Sequence, residues 1–128
     1  MDSVSPTRRQ QAQAARIAAE IASLGPALPG TLILRHVRCG RANCRCHADP
    51  PVLHGPYWQW TRKSAGKTVT RLVADDQIDD YRQWLDNHRR LRALVAELEA
   101  LTLAIADAGQ QAKRQPAGPA RRTRQTSA

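Results

Sequence analysis

The chain contains no phenylalanine, a single methionine and few aromatic residues. All five aromatics fall between Tyr57 and Trp84, so an aromatic core can only be built there. No apolar run approaches the ~20 residues that span a bilayer. Met1 to Leu24 lacks the apolar stretch of a signal peptide, and Glu20 interrupts it. A cytoplasmic chain with reduced thiols and no membrane partner is therefore expected. A Gly-rich phosphate loop, paired catalytic carboxylates and a nucleophile–base motif are all missing, so the expectation is a non-enzymatic protein. There are only three cysteines, which cannot all pair internally. Crowded cysteines in a reducing compartment favour a metal over disulfides.

What is present divides along the chain. Residues 1–6 read as a disordered N-terminus. Residues 7–24 are rich in Ala, Gln and Arg, and Ala14, Ile17, Ile21 and Leu24 form one apolar stripe at 3-4-3 spacing. Gly25-Pro26 stops that helix. Thr31 to Arg38, Tyr57 to Lys63 and Lys67 to Val73 read as strands, the last two joined as an antiparallel hairpin through Ser64-Ala65-Gly66. Asp75 or Asp76 caps a helix in which Ile78, Tyr81, Leu85, His88, Leu91, Leu94, Leu98, Leu101 and Ile105 repeat. From Leu91 the 3-4-3-4 spacing is a coiled-coil seam, a bend is allowed near Asn87-His88, and Gly109 ends the pattern. The seam pairs with the N-terminal helix within one chain or with a second copy in a homodimer. Residues 110–128 read as a disordered basic tail. The predicted fold is α+β. A small three-stranded antiparallel sheet with a zinc-knuckle-like loop is flanked by an N-terminal helix and a long C-terminal helix or helical hairpin. Residues 30–107 form the zinc-loop, sheet and helix domain.

The stretch from Val37 to Trp60 organises the chain. It holds Cys39, Cys44 and Cys46, then His47 and His54, then Trp58 and Trp60. Between Cys39 and His54 there is almost nothing apolar. A segment so poor in core-forming residues needs another source of order, and a structural Zn²⁺ supplies it. Zinc takes four thiolate or imidazole ligands in a tetrahedron. Cys39, Cys44 and Cys46 give three. The fourth is His54 or His47, with His36 a remote third choice. Adjacent residues rarely turn toward one ion, which counts against His47 beside Cys46. Gly40 is expected to permit a tight turn that aims backbone N–H groups at a thiolate. Three thiolates and an imidazole close the site, and Asp49 is the loop's only carboxylate.

Charge is uneven. Residues 1–30 carry +1, residues 31–74 carry +7, residues 75–108 carry −4 and residues 109–128 carry +5. Clustered basic charge is the footprint of a polyanion partner, DNA before RNA. Arg35, Arg38, Arg41, Arg45, Arg62, Lys63, Lys67 and Arg71 are the candidate phosphate contacts. Tyr57, Trp58 and Trp60 suit either base stacking or the core, and the shortage of other aromatics favours the core. A rival reading is a protein-interaction adaptor that works through Leu91 to Ile105, with no nucleic-acid role.

The motifs C-G-R-A-N-C-R-C at Cys39 to Cys46 and H-G-P-Y at His54 to Tyr57 resemble DUF6788, a family of small bacterial and archaeal proteins of unknown function. Gly66-Lys67-Thr68 and Arg89 to Leu98 extend the resemblance, which runs from about Gly30 to Leu103. It implies His54 as the fourth ligand, because H-G-P-Y is the family's pattern. It implies no activity.

Overall fold

The computed structural model describes residues 4–114. The first three residues, and the part of the expected tail beyond Arg114, lie outside the described residues. The elements run α1 (Arg8–Ala22), β1 (Thr31–Val37), β2 (His54–Ser64), β3 (Lys67–Val73) and α2 (Ile78–Arg114). Short 3₁₀ turns at Arg45–His47 and Asp75–Gln77 precede β2 and α2. The three strands form one antiparallel sheet in the order β1-β2-β3. No helix among the described residues is long and apolar enough to cross a membrane. The described residues divide into two compact units, one of residues 24–91 and one of residues 4–23 together with 92–114.

In the first unit the sheet register decides which side chains meet the core. Leu32 faces Trp60 and Leu34 faces Trp58 across β1 and β2, while Trp58 faces Val73 across β2 and β3. Side chains opposite one another share a face. That face carries the buried cluster of Trp60, Val73, Ile78 and Leu85, with Leu28, Leu32, Trp58 and Tyr81 packed against it. Tyr81 meets Trp60 edge-on at 5.8 Å between ring centroids, and Trp84 follows Tyr81 at 5.6 Å. Trp58 and Trp60 are thus core residues rather than stacking platforms. Four buried side chains at ~1.5–3 kcal/mol each make a modest core.

The segment from Gly25 to Gly30 has no regular structure, yet it is pinned three times. The Trp60 indole N–H donates to the Pro29 carbonyl at 2.8 Å. The Leu28 N–H donates to the Trp84 carbonyl at 2.9 Å. Asn87, buried and polar, donates through Nδ2 to the Pro26 carbonyl at 2.8 Å and accepts from Gln83 Nε2 at 2.9 Å. Gly30 sits at φ +117°, and a Cβ there would lie 2.5 Å from the Thr61 carbonyl oxygen, so this close approach admits only glycine.

In the second unit Ile17 of α1 and Leu94 of α2 are fully buried, and Leu101 of α2 is largely so. The expected stripe of Ala14, Ile17 and Ile21 is the covered side of α1. Thr7 caps α1 through a reciprocal box with Gln10. Gly109 does not end α2, which continues to Arg114. Its role is contact: a Cβ at Gly109 would lie 2.8 Å from a Val4 methyl. The helix also runs through Asn87-His88 without interruption. The 3₁₀ turn ahead of it is capped at Ala74 without a side-chain hydrogen bond, and Asp75 and Asp76 lie within that turn, while Asp79 and Asp80 occupy the first turn of α2.

The β2–β3 turn is tighter than its composition suggests. Ala65 at φ +50° and Gly66 at φ +80° form a two-residue turn with both dihedrals positive. Asparagine tolerates that conformation better than alanine. Ala65→Asn is therefore expected to stabilise the chain by roughly 0.5–1 kcal/mol, measured as a raised urea midpoint with an unchanged slope.

Candidate metal centre

The sheet delivers two of the candidate ligands. β1 and β2 close on the pair Val37 and His54. His54 therefore opens β2 beside the end of β1, and Cys39 follows Val37 by two residues. The other two come from the loop. Cys44 is extended just ahead of the 3₁₀ turn Arg45–His47, and Cys46 lies inside it, fully buried. The turn is held by His47 N–H to the Cys44 carbonyl at 3.0 Å and Ala48 N–H to the Arg45 carbonyl at 3.1 Å. The loop then folds back, with Val52 N–H donating to the Arg45 carbonyl at 3.0 Å. Arg38 braces it from outside, donating through Nε to the Cys46 carbonyl at 3.1 Å.

These elements bring one sulfur each from Cys39, Cys44 and Cys46 and one ring nitrogen from His54 within 4.8 Å of one another. The Cys39 and Cys46 sulfurs are 3.6 Å apart and remain free thiols. The Cys44 sulfur lies 3.2 Å from His54 Nε2. A tetrahedral ion with metal–sulfur bonds of ~2.3 Å needs ligand separations of roughly 3.8 Å, so the set fits such an ion. His47 is turned elsewhere, since its Nε2 is hydrogen-bonded to the Cys39 carbonyl oxygen at 2.8 Å. His36 stays exposed on β1.

Backbone N–H groups point at the sulfurs, as expected around thiolates. Cys39 N–H donates to Cys46 Sγ at 3.3 Å, and Arg41 N–H donates to Cys39 Sγ at 3.4 Å. Gly40 is not the reason. Nothing lies within 4 Å of a Cβ built there. The glycine that geometry demands is Gly55, at φ +111°, where a Cβ would come 2.9 Å from the Arg35 carbonyl oxygen. The H-G pair thus places His54 and lets β2 pass close to β1.

The surroundings split the thiols. The Cys46 backbone N–H and then the His54 ring bring the Cys44 thiol down to about 6 from an ordinary 9.0. Burial pushes the Cys46 thiol up, against an opposing hydrogen bond from the Cys39 backbone.

The eight basic candidates do not share one surface. Along β2 and β3, Lys63 and Thr68 face one way, while Arg62, Lys67 and Arg71 face the other, toward the Trp60 side. Arg35 pairs with Tyr57 on the outer face, where Tyr57 is exposed. Arg41 and Arg45 are exposed on the loop. Arg62 and Arg71 lie over the Trp60 ring at 4.9 and 5.8 Å. The sequence reading missed Arg82, which covers Trp58 at 4.9 Å. It also missed Asn87; no spacing rule marks a polar residue whose partner is a carbonyl 61 positions away.

Fold and site together define a small α+β domain with a three-cysteine, one-histidine cluster at the open end of its sheet. The chain matches the family described as a domain of unknown function (DUF6788) over residues 7–83 and belongs to it. The match includes α1, which the motif-based resemblance left out, and ends before the seam on α2. Neither a curated protein nor a solved structure matches the chain.

The split in thiol acidity is testable in metal-free protein. Cys44, half-buried and largely thiolate at neutral pH, should be alkylated by iodoacetamide well before buried Cys46, as read by peptide mass spectrometry. The depressed Cys44 value contributes stability that is present above pH 9 and lost as pH falls through about 6. The raised Cys46 value acts in the opposite sense, contributing below pH 9 and losing its effect at more alkaline pH. A metal-free chain whose stability does not fall between pH 9 and pH 6 would contradict the Cys44 assignment.

Proposed function

We propose that the cluster binds one structural Zn²⁺, and that the stapled domain contacts nucleic acid through its basic surface. The observation that carries the metal reading is the convergence of three sulfurs and one imidazole nitrogen within 4.8 Å. Soft thiolates select zinc over magnesium or calcium, and three of them with a histidine is a recurrent structural set. Iron–sulfur clusters usually take four cysteines. The four ligands fill a tetrahedron and leave no open position for substrate. Asp49 is exposed in the loop, away from the set. This supports a non-enzymatic role.

The nucleic-acid part rests on the +7 charge of residues 31–74 and on where the groups sit. Arg41 and Arg45 project from the braced loop, and Arg35 lies beside exposed Tyr57. Lysine and arginine supply phosphate contacts, while an exposed ring offers stacking. DNA is the first partner to test.

The adaptor reading keeps one observation of its own. Leu103 is 63% exposed and Val95 40% exposed, beside a groove of about 520 Å³ lined by Leu98, Thr102 and Ala106. Leu94 and Leu101 of the expected seam are already covered within the chain. A homodimer would have to use this other stripe, and native mass spectrometry reports it.

Protein purified without chelators should carry one zinc per chain. Cys44→Ser and His54→Ala should lose it, while His47→Ala should keep it, as measured by native mass spectrometry. Chelation should lower the melting midpoint of the loop and sheet; melting unchanged after complete metal removal would defeat the structural role.

Binding to random duplex DNA should weaken linearly in log–log form with salt, with a slope near −0.9 for each phosphate engaged. A flat salt response would leave the adaptor as the better account.

A further inference from the structure

β1 begins at Thr31, opposite Thr61, whereas β2 continues to Ser64. The β2 residues after Thr61 are therefore paired only on the β3 side. A notch of about 370 Å³ opens at this corner of the sheet, lined by Gly30, Thr31, Thr61, Arg62, Lys63 and Thr68. Its chemistry is one-sided: two cations and three hydroxyls, with no carboxylate.

Arg62 is held ready for an acceptor it does not have. Its guanidinium lies 4.9 Å from the centre of the Trp60 ring, within cation–π range. Arg71 covers the same ring at 5.8 Å and adds a second positive charge nearby. Neither arginine, nor Lys63, has a carboxylate partner among the described residues. The Arg62 Nε–H is shut off from solvent and meets no hydrogen-bond acceptor there. A buried donor without an acceptor is costly. An oxyanion in the notch that draws the guanidinium edge toward itself removes that cost, while Lys63 and the Thr68 hydroxyl, paired across β2 and β3, supply further donors. Gly30 keeps the entrance low, since any side chain at that position would strike the Thr61 carbonyl and the Trp60 indole.

We propose that this corner notch is a phosphate-binding site, with Arg62 as its central donor and Lys63 and Thr68 as its flanking ones. The inference rests on the nucleic-acid reading only for the source of the phosphate, which is either the backbone of a nucleic acid or a free phosphate group. The zinc cluster plays no part in it.

The test follows the Arg62 Nε–Hε resonance in ¹⁵N-labelled, zinc-loaded full-length protein, assigned by its loss in Arg62→Lys. One titration uses inorganic phosphate and the other random-sequence duplex DNA. The resonance should move downfield and saturate in at least one titration. Lys63→Gln combined with Thr68→Val, both on exposed positions, should weaken that response about tenfold with the circular dichroism spectrum unchanged. If phosphate moves the resonance while DNA binds nowhere, the notch stands and the nucleic-acid reading falls. If DNA binds while Arg62 stays silent in both titrations, the notch falls and the nucleic-acid reading stands. A response that survives intact in the double variant also overturns the assignment.

Discussion

Three sulfurs and an imidazole nitrogen within 4.8 Å are not a self-sufficient arrangement. As thiolates the sulfurs repel one another at this range; as thiols they offer only weak hydrogen bonds. The loop around them gives little help. Between Cys39 and His54 only Cys46 is buried, and Val52 and Leu53 are exposed. A bound cation would resolve the conflict, because it would convert mutual repulsion into four favourable contacts. It would also make the binding free energy part of the folding free energy. The domain has reason to depend on this, since the cluster of Trp60, Val73, Ile78 and Leu85 is small.

The ligands converge because the sheet has already done most of the positioning. The pairing of Val37 with His54 fixes both ends of the loop. Within it, the 3₁₀ turn needs only to place Cys44 and Cys46 on one side of a short path. The same economy explains the hydrogen bond from Arg38 to the Cys46 carbonyl and the contact between His47 and the Cys39 carbonyl. Both are polar side chains doing for the loop what apolar packing does elsewhere. The metal and the sheet would therefore be mutually dependent: strand pairing brings the candidate ligands together, and a bound ion would keep β1 and β2 closed at that end.

Much of this is legible in the sequence, for identifiable reasons. β3 falls on Lys67 to Val73 as expected, because β-branched density between a glycine turn and an aspartate pair leaves little choice. The convergence of Cys39, Cys44 and Cys46 with His54 is legible because cysteine in a polar loop has few alternative uses. The glycines are read less well. Gly40 and Gly109 look like turn and stop signals, yet Gly40 meets no steric demand and Gly109 admits Val4. A glycine's reason lies in what approaches it, and that neighbour is distant in sequence. Asn87 is hidden for the same cause. The helix period marks apolar positions, and a buried amide that holds Pro26 breaks the pattern without announcing its partner.

The basic residues show how charge count and charge placement differ. The sum over residues 31–74 suggests one cationic face, but the alternation of a β-strand sends neighbours to opposite sides. Lys63 and Arg62 are adjacent in sequence and face opposite ways. They can meet a common ligand only where the sheet ends, and the end of β1 at Thr31 supplies that corner. The remaining cations fall into two physical kinds. Arg38, Arg62 and Arg71 are held near a carbonyl or the Trp60 ring, so their range of positions is narrowed before any partner arrives. Arg41 and Arg45 are exposed on the loop and contribute mainly to the long-range field. Pre-positioned guanidinium groups favour one anion geometry, whereas mobile ones attract any polyanion. A partner drawn in by the loop would thus be discriminated at the sheet corner. The cluster would keep those two regions in fixed relation, because it ties the loop to the strand that carries Arg62.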